Sequence, residues 1–172
     1  MKICNIFGKG ARFSRGKVHR YLGIDIYWSQ DGPIIVSMIK YLQKIIDDLP
    51  EVIHSTYATY AAEYLFTVQC KKERKILSED QAQHFHQTVV QLVFVCMRDR
   101  LDIQPLVVFL AMRVRSPDED SWGGLKRGLK YLKFTLYMKL YLRADYINMT
   151  IWWVYASYST HWDHKSNTGA VM

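Results

Sequence analysis

Cysteine is scarce in this chain. Cys4, Cys70 and Cys96 are the three in 172 residues, widely spaced and in no C-x-x-C pair. That argues against a disulfide framework or a zinc ribbon and leaves buried or incidental thiols. No uncharged apolar run approaches the roughly 18 residues a bilayer span needs. The opening Met1-Lys2-Ile3-Cys4-Asn5-Ile6-Phe7-Gly8-Lys9 is too short and too quickly charged for a secretory apolar segment, so the chain is expected to be intracellular, cytoplasmic or nuclear, with no membrane partner. The phosphate-binding patterns G-x-x-x-x-G-K-[ST] and G-x-G-x-x-G and the nucleophile elbow G-x-S-x-G are all missing, and Phe7-Gly8-Lys9-Gly10 is too short for a phosphate cradle. No Pro/Gly/Ser linker or internal repeat divides the chain.

Acid is absent from two stretches, and there the sequence becomes informative. The 49% apolar and 23% charged residues are enough for a folded core, and the net charge is +7. Residues 1–20 hold six bases (Lys2, Lys9, Arg12, Arg15, Lys17, Arg20) and no carboxylate, which leaves +1 for the rest. A second acid-free stretch, 121–143, holds Lys126, Arg127, Lys130, Lys133, Lys139 and Arg143. Two basic tracts on a nearly neutral body point to a polyanion such as nucleic acid, while an ordinary solvated face explains either tract alone.

Periodicity supplies the elements. Residues 21–28 and 33–36 are rich in β-branched and aromatic side chains, and Asp31-Gly32 between them signals a hairpin. Ser37 is placed to cap a helix whose apolar positions are Met38, Leu42, Ile45 and Leu49, stopped by Pro50. Residues 51–77 show no period and read as loop, with room for a short strand at 64–68. Ser78 and Gln81 form a capping box before Phe85, Val89, Leu92 and Cys96, a second helix ending near Met97. Asp102 is placed to cap a third, with Pro105 in its first turn and Val107, Leu110 and Val114 on one face, up to Ser116-Pro117. A fourth starts near Pro117-Asp118 with the seam Trp122, Leu125, Leu129 and Leu132, and Gly123, Gly124 and Gly128 are expected to weaken it. Lys126, Lys130 and Lys133 form a cationic stripe beside that seam, either a phosphate-backbone contact or a solvated face. In the tail, 139–143 and 150–158 read as strands, and Trp152-Trp153-Val154-Tyr155 has the composition of a strand buried on both faces.

Three fragments look chemical and have plainer readings. Asp47-Asp48 superficially resembles a metal-binding carboxylate pair, but it lies in the last turn of an amphipathic helix, where a polar end is the simpler account. His84 and His86 point about 200° apart on a helix, which prevents a shared metal. His161-Trp162-Asp163-His164 lacks a second ligand pair and any H-E-x-x-H register.

A collinear set of short pieces carries a family likeness. In order they are Phe7-Gly8-Lys9, Arg15-Gly16-Lys17-Val18-His19, Tyr21-Leu22-Gly23, Ser37-Met38-Ile39-Lys40-Tyr41, Ala58-Thr59-Tyr60-Ala61 and Leu65-Phe66. Then come Arg98-Asp99-Arg100-Leu101-Asp102-Ile103, Val108-Phe109-Leu110 with Arg113-Val114, Trp122 with Leu125 and Leu129, and Tyr131-Leu132. The last are Trp152-Trp153-Val154-Tyr155-Ala156-Ser157 and Ser166-Asn167-Thr168-Gly169. Together they resemble the Pol polyprotein of copia-type LTR retrotransposons, from the end of the reverse transcriptase to the start of the RNase H domain.

The resemblance implies an α+β chain: a β-hairpin, a helical thumb and connection region, then the first strands of an incomplete RNase H-like sheet. Residues 1–36 would be the end of the palm with the primer-positioning hairpin, 37–136 the thumb and connection, and 137–172 the RNase H start. It implies a nucleic-acid partner, template–primer or RNA–DNA duplex, met by Lys17, Arg20, Tyr21 and Gly23 near the hairpin and by Lys126, Arg127, Lys130 and Lys133 on the fourth helix. A complete family enzyme uses magnesium; this fragment is expected to hold no cofactor, since the palm's Y-x-D-D motif would lie before Met1 and the later RNase H carboxylates after Met172. Tyr155 stands where the family has the first RNase H aspartate, and a neutral phenol cannot replace a hard carboxylate ligand to magnesium. Tyr60 and Leu101 replace family prolines, loosening two turns. The implied function is thus a fragment of an RNA-directed DNA polymerase/RNase H polyprotein without catalysis of its own, or alternatively a non-catalytic, sequence-independent nucleic-acid-binding module.

Overall fold

A computed structural model describes residues 15–28, 32–61, 75–143, 149, 151–157 and 167–171. The expectations for Phe7-Gly8-Lys9, Asp31, residues 64–68 and the His161 to His164 cluster lie outside these residues, as do Cys4 and Cys70. The described chain is mixed α+β, with a four-stranded antiparallel sheet and four helices. β1 (Val18–Tyr21), β2 (Ile24–Tyr27) and β3 (Ile34–Ser37) follow one another in space, and β4 (Leu140–Leu142) adds to the far edge of β3.

The expected pairing across residues 28–33 is present, with Ile26 opposite Val36. A second, tighter hairpin precedes it: the run 21–28, read as one strand, breaks at Leu22-Gly23. Both turn residues have positive φ, +48° and +79°, the signature of the type I′ turn that suits the twist of a two-residue hairpin. Another difference concerns the tail. Leu140–Leu142, grouped by sequence with the C-terminal region, pairs with β3, Val36 opposite Leu140 and Ile35 opposite Tyr141. The sheet is therefore built by strands from both sides of residues 136 and 137.

α1 (Ile39–Asp47), α2 (Glu79–Cys96), α3 (Gln104–Ala111) and α4 (Glu119–Phe134) form the helical part. Their apolar stripes meet in one core: Leu42 and Ile45 of α1, Phe85 and Leu92 of α2, Leu106 and Leu110 of α3, Leu125 and Leu129 of α4 are all essentially inaccessible. The α2 and α4 starts follow local rules. Ser78 accepts the Gln81 N–H, and Asp118 accepts both the N–H and the hydroxyl of Ser121. Next to these caps Ile76 bridges to Asp118, which ties the entry of α2 to the entry of α4.

Three helix ends differ from the local reading. Ser37 is the last residue of β3 and does not cap α1; the Met38 N–H is taken by the Asp99 carboxylate at 2.9 Å, 61 residues along the chain. Asp102 does not cap α3, because its oxygens are engaged by Arg100 and Tyr131; a 3₁₀ turn, Leu101–Ile103, leads into the helix instead. α3 also stops at Ala111, before Val114. The Arg113 N–H bonds to Leu110 in a tightened turn while its guanidinium takes the Phe109 carbonyl at 2.8 Å, satisfying the group that a continuing helix would have used.

The glycines of α4 are not equivalent. Gly123 faces open space, but a Cβ on Gly128 would run into Leu106 Cδ2, so this glycine is what lets α3 lie close against α4. The C-terminal strands β5 (Trp153–Ser157) and β6 (Asn167–Val171) pair with each other, Tyr155 opposite Gly169. Trp152 and Val154 are 61% and 76% exposed, so the expectation of a strand buried on both faces does not hold: β5 has one partner among the described strands.

Candidate nucleic-acid interface

The first tract lies on the sheet. Lys17 directly precedes β1, and its carbonyl accepts the Trp28 N–H at 2.7 Å, extending the hairpin ladder by one pair. Arg20 and Asp25 are cross-strand partners joined by an ion pair. The hydrogen bond and the charge of Asp25 raise the Arg20 pKa further, so the guanidinium is permanently charged. At the hairpin tip Tyr21 and Leu22 are 67% and 63% exposed. Gly23 turns toward the Tyr41 ring, with room for a Cβ at ordinary contact distance; its positive φ, not its space, is what calls for glycine. Leu22 has no such licence, and a left-handed leucine costs about 1 kcal/mol.

The part of the second tract that lies on α4, Lys126 to Lys133, is occupied by the protein itself. Residues 51–61 run along the helix and take its cations in turn. Lys126 Nζ lies 3.1 Å from Glu51 Oε2, and Lys133 Nζ donates to the Ile53 carbonyl at 2.6 Å. Arg127 Nε donates to the Tyr60 carbonyl, and both Arg127 and Lys130 lie over the Tyr57 ring, at 4.5 and 5.2 Å from its centroid. Hydrogen bonds from Lys126 and the Trp122 indole hold the Glu51 carboxyl below its ordinary pKa. A cleft of about 260 Å³ remains here, lined in part by Glu51, His54, Trp122, Lys126 and Lys130. Sequence reading placed the stripe correctly beside the seam and missed its partners, which lie in an aperiodic loop.

Missed as well was a buried polar network in the Arg98 to Ile103 piece. Arg100 is fully buried and holds Asp102 through Nε at 2.9 Å and Nη2 at 2.8 Å, and also donates to the carbonyl and hydroxyl of Thr135 at the end of α4. The Tyr131 hydroxyl donates to Asp102 at 2.7 Å. Burial works to raise the Asp102 pKa, but the Arg100 and Tyr131 hydrogen bonds outweigh it and hold the carboxyl below its usual value. For Asp99 burial wins, and its pKa is raised despite the Met38 N–H and the Arg100 charge. Its Oδ1 is buried without a hydrogen-bond partner among the described residues. The sequence signal was available: three charged residues, Asp99, Arg100 and Asp102, beside an apolar run.

The remaining chemical candidates stay apart. Asp47 accepts from Gln43 in the last turn of α1, and both Asp47 and Asp48 face solvent. His84 and His86 are exposed on α2. Cys96 is buried, and burial pushes its thiol up to about 11, far from a reactive thiolate. Among the described residues no three His, Cys, Asp or Glu side chains gather as a metal site, and no helix is long and apolar enough to cross a membrane. Comparison with protein-family models, with curated proteins and with solved structures gave no match to this chain.

Proposed function

We propose that this chain is a piece of a copia-type retrotransposon Pol polyprotein, from the end of the reverse transcriptase through the start of the RNase H part, and that it binds nucleic acid without catalysis of its own. One observation carries the reading. Tyr21-Leu22-Gly23, a family piece, forms a hairpin tip that exposes an aromatic and an aliphatic side chain and keeps leucine in a left-handed turn. An exposed apolar tip in strained backbone is poor design for stability and good design for contact. Lys17 and Arg20 beside it supply charge for a phosphate backbone, as a primer-positioning segment would need.

The absence of hybrid cleavage rests on Tyr155, a phenol at the position of the family's first RNase H aspartate. The α4 cations enter this function weakly, since the 51–61 segment already uses them.

The test is equilibrium binding to a primer–template duplex alongside magnesium-dependent primer extension and hybrid cleavage. The purified chain should bind and do neither reaction; measurable extension or cleavage would overturn the proposal. Leu22→Gly should relieve the turn, gaining up to about 1 kcal/mol in urea unfolding, while weakening duplex binding several-fold. Equal affinity for Leu22→Gly, Tyr21→Ser and the unaltered chain would remove the hairpin tip from the account.

A further inference from the structure

We infer that the outer face of the four-stranded sheet, opposite the face that carries Tyr21, is a stacking platform for single-stranded nucleic acid. Strand register defines it. Val18 pairs with Tyr27, Tyr27 with Ile35, and Ile35 with Tyr141, so these four side chains form one row across all four strands. Directly paired residues share a face, and alternation sends Ile24, Ile26, Ile34, Val36 and Leu140 to the other side, where Val36 is buried and Ile24 packs on the helical core.

Val18 and Tyr141 are 53% and 62% exposed, and Tyr27 is partly so. The Lys139 ammonium lies 5.6 Å above the Tyr27 ring, which fixes it on this same face. Exposed aromatics spaced over an antiparallel sheet, with a cation on a flexible stem next to them, are what unpaired bases and their phosphates require.

Charge decides the occupant. On this face Arg20 and Asp25 neutralise one another, while Lys139 and Arg143, which alternate with the inward-facing Leu140 and Leu142, leave it net positive among the described residues. A second copy of the same positive face would be repelled, and a polyanion would be drawn to it. Geometry then favours a single strand over a duplex. Tyr27 and Tyr141 lie two strand spacings apart, about 10 Å, far more than the roughly 3.4 Å per nucleotide of a stacked strand, so the bases that meet them must be splayed. A duplex does not expose its bases to a flat sheet.

The platform does not rest on the polymerase reading. Tyr21 projects from the opposite face of the hairpin, so duplex binding at the tip and single-strand binding on the sheet fail separately. The experiment is fluorescence anisotropy with labelled oligo(dT) of about 12 nucleotides, within the site size of such surfaces, and with a duplex of equal length. Tyr141→Ala should weaken oligo(dT) binding by about tenfold, Tyr141→Phe should restore it, and duplex binding should change little in either. Tyr141 is exposed, so thermal melts of all three proteins should coincide. Unchanged oligo(dT) affinity in Tyr141→Ala, or a Phe variant as weak as Ala, would overturn the platform. So would sedimentation showing a dimer that Tyr141→Ala converts to monomer with oligo(dT) affinity intact.

Discussion

Acid-free basic tracts supply cations to both the sheet and the helical body, and the two regions use that charge in opposite directions. On the sheet the cations stand among exposed aromatic rings, with one carboxylate, Asp25, engaged by Arg20. On α4 the cations turn back onto residues 51–61, where Glu51, two backbone carbonyls and a tyrosine ring accept them. Deeper in the same helical body a whole guanidinium, Arg100, is buried against Asp102 and Thr135. Equal charge density along a sequence therefore says little about whether charge is offered to a partner. What decides is whether an uncharged or acidic segment folds back over it, a property of tertiary structure.

The largest expected effect lies in the helical body. Arg100→Ala removes a buried guanidinium and leaves the partly exposed Asp102 without its cation, which should cost about 3 kcal/mol in urea unfolding, while oligonucleotide binding by the protein that remains folded is unchanged. A loss under 1 kcal/mol would mean that the network is not closed as drawn. Next in size, Gly128→Ala forces a Cβ onto Leu106, and overpacking of this kind costs about 1–3 kcal/mol, of which better helix propensity recovers up to about 1. Gly123→Ala meets nothing and should stabilise the chain by up to about 1 kcal/mol. Melting temperatures moving in the same direction for both would break the distinction between the two glycines.

A smaller effect is pH-dependent and comes from Asp99. Its raised pKa means that the folded state holds this proton more tightly than the unfolded chain. The stabilisation from that proton is complete below the ordinary value of 3.8 and is lost as pH rises through the raised folded value. Asp102 works the other way, contributing stability above 3.8 that is lost as pH falls through its lowered folded value. Asp99→Asn keeps an acceptor for the Met38 N–H and removes the titration. Its stability relative to the unaltered protein should therefore rise as pH increases from about 3.5 toward neutrality, read from urea midpoints at several pH values. A difference that stays flat would show that Asp99 is ordinary.

What could be read in the sequence was what neighbours in sequence decide. Ser78 with Gln81, a helix start at Asp118, and the seams of α2 and α4 are decided within one helix, and all are as expected. The start of α1 was misread because Asp99, which takes the Met38 N–H, lies in a different element. Asp102 looks like a cap in a local window, and only Arg100 and Tyr131 together reveal its role. The lysine stripe was legible as a stripe, yet its partners sit in a segment with no period at all. β4 carried a strand signal and no sign of its neighbour, since pairing with β3 joins residues more than 100 positions apart. The left-handed Leu22 was hidden because leucine seldom marks such a turn.

The central claim, that the sheet offers its charge and α4 does not, is tested most directly by the salt dependence of oligo(dT) affinity in two multiple variants. Each phosphate contact on a single strand contributes about 0.7 to the slope of log K against log salt. Replacing Lys139 and Arg143 with glutamine should flatten that slope by up to about 1.4 units. Replacing Lys126, Lys130 and Lys133 should change it by less than about 0.5, showing instead as a small loss of stability. The reverse result, a slope unmoved by the sheet variant and flattened by the α4 variant, would contradict the account.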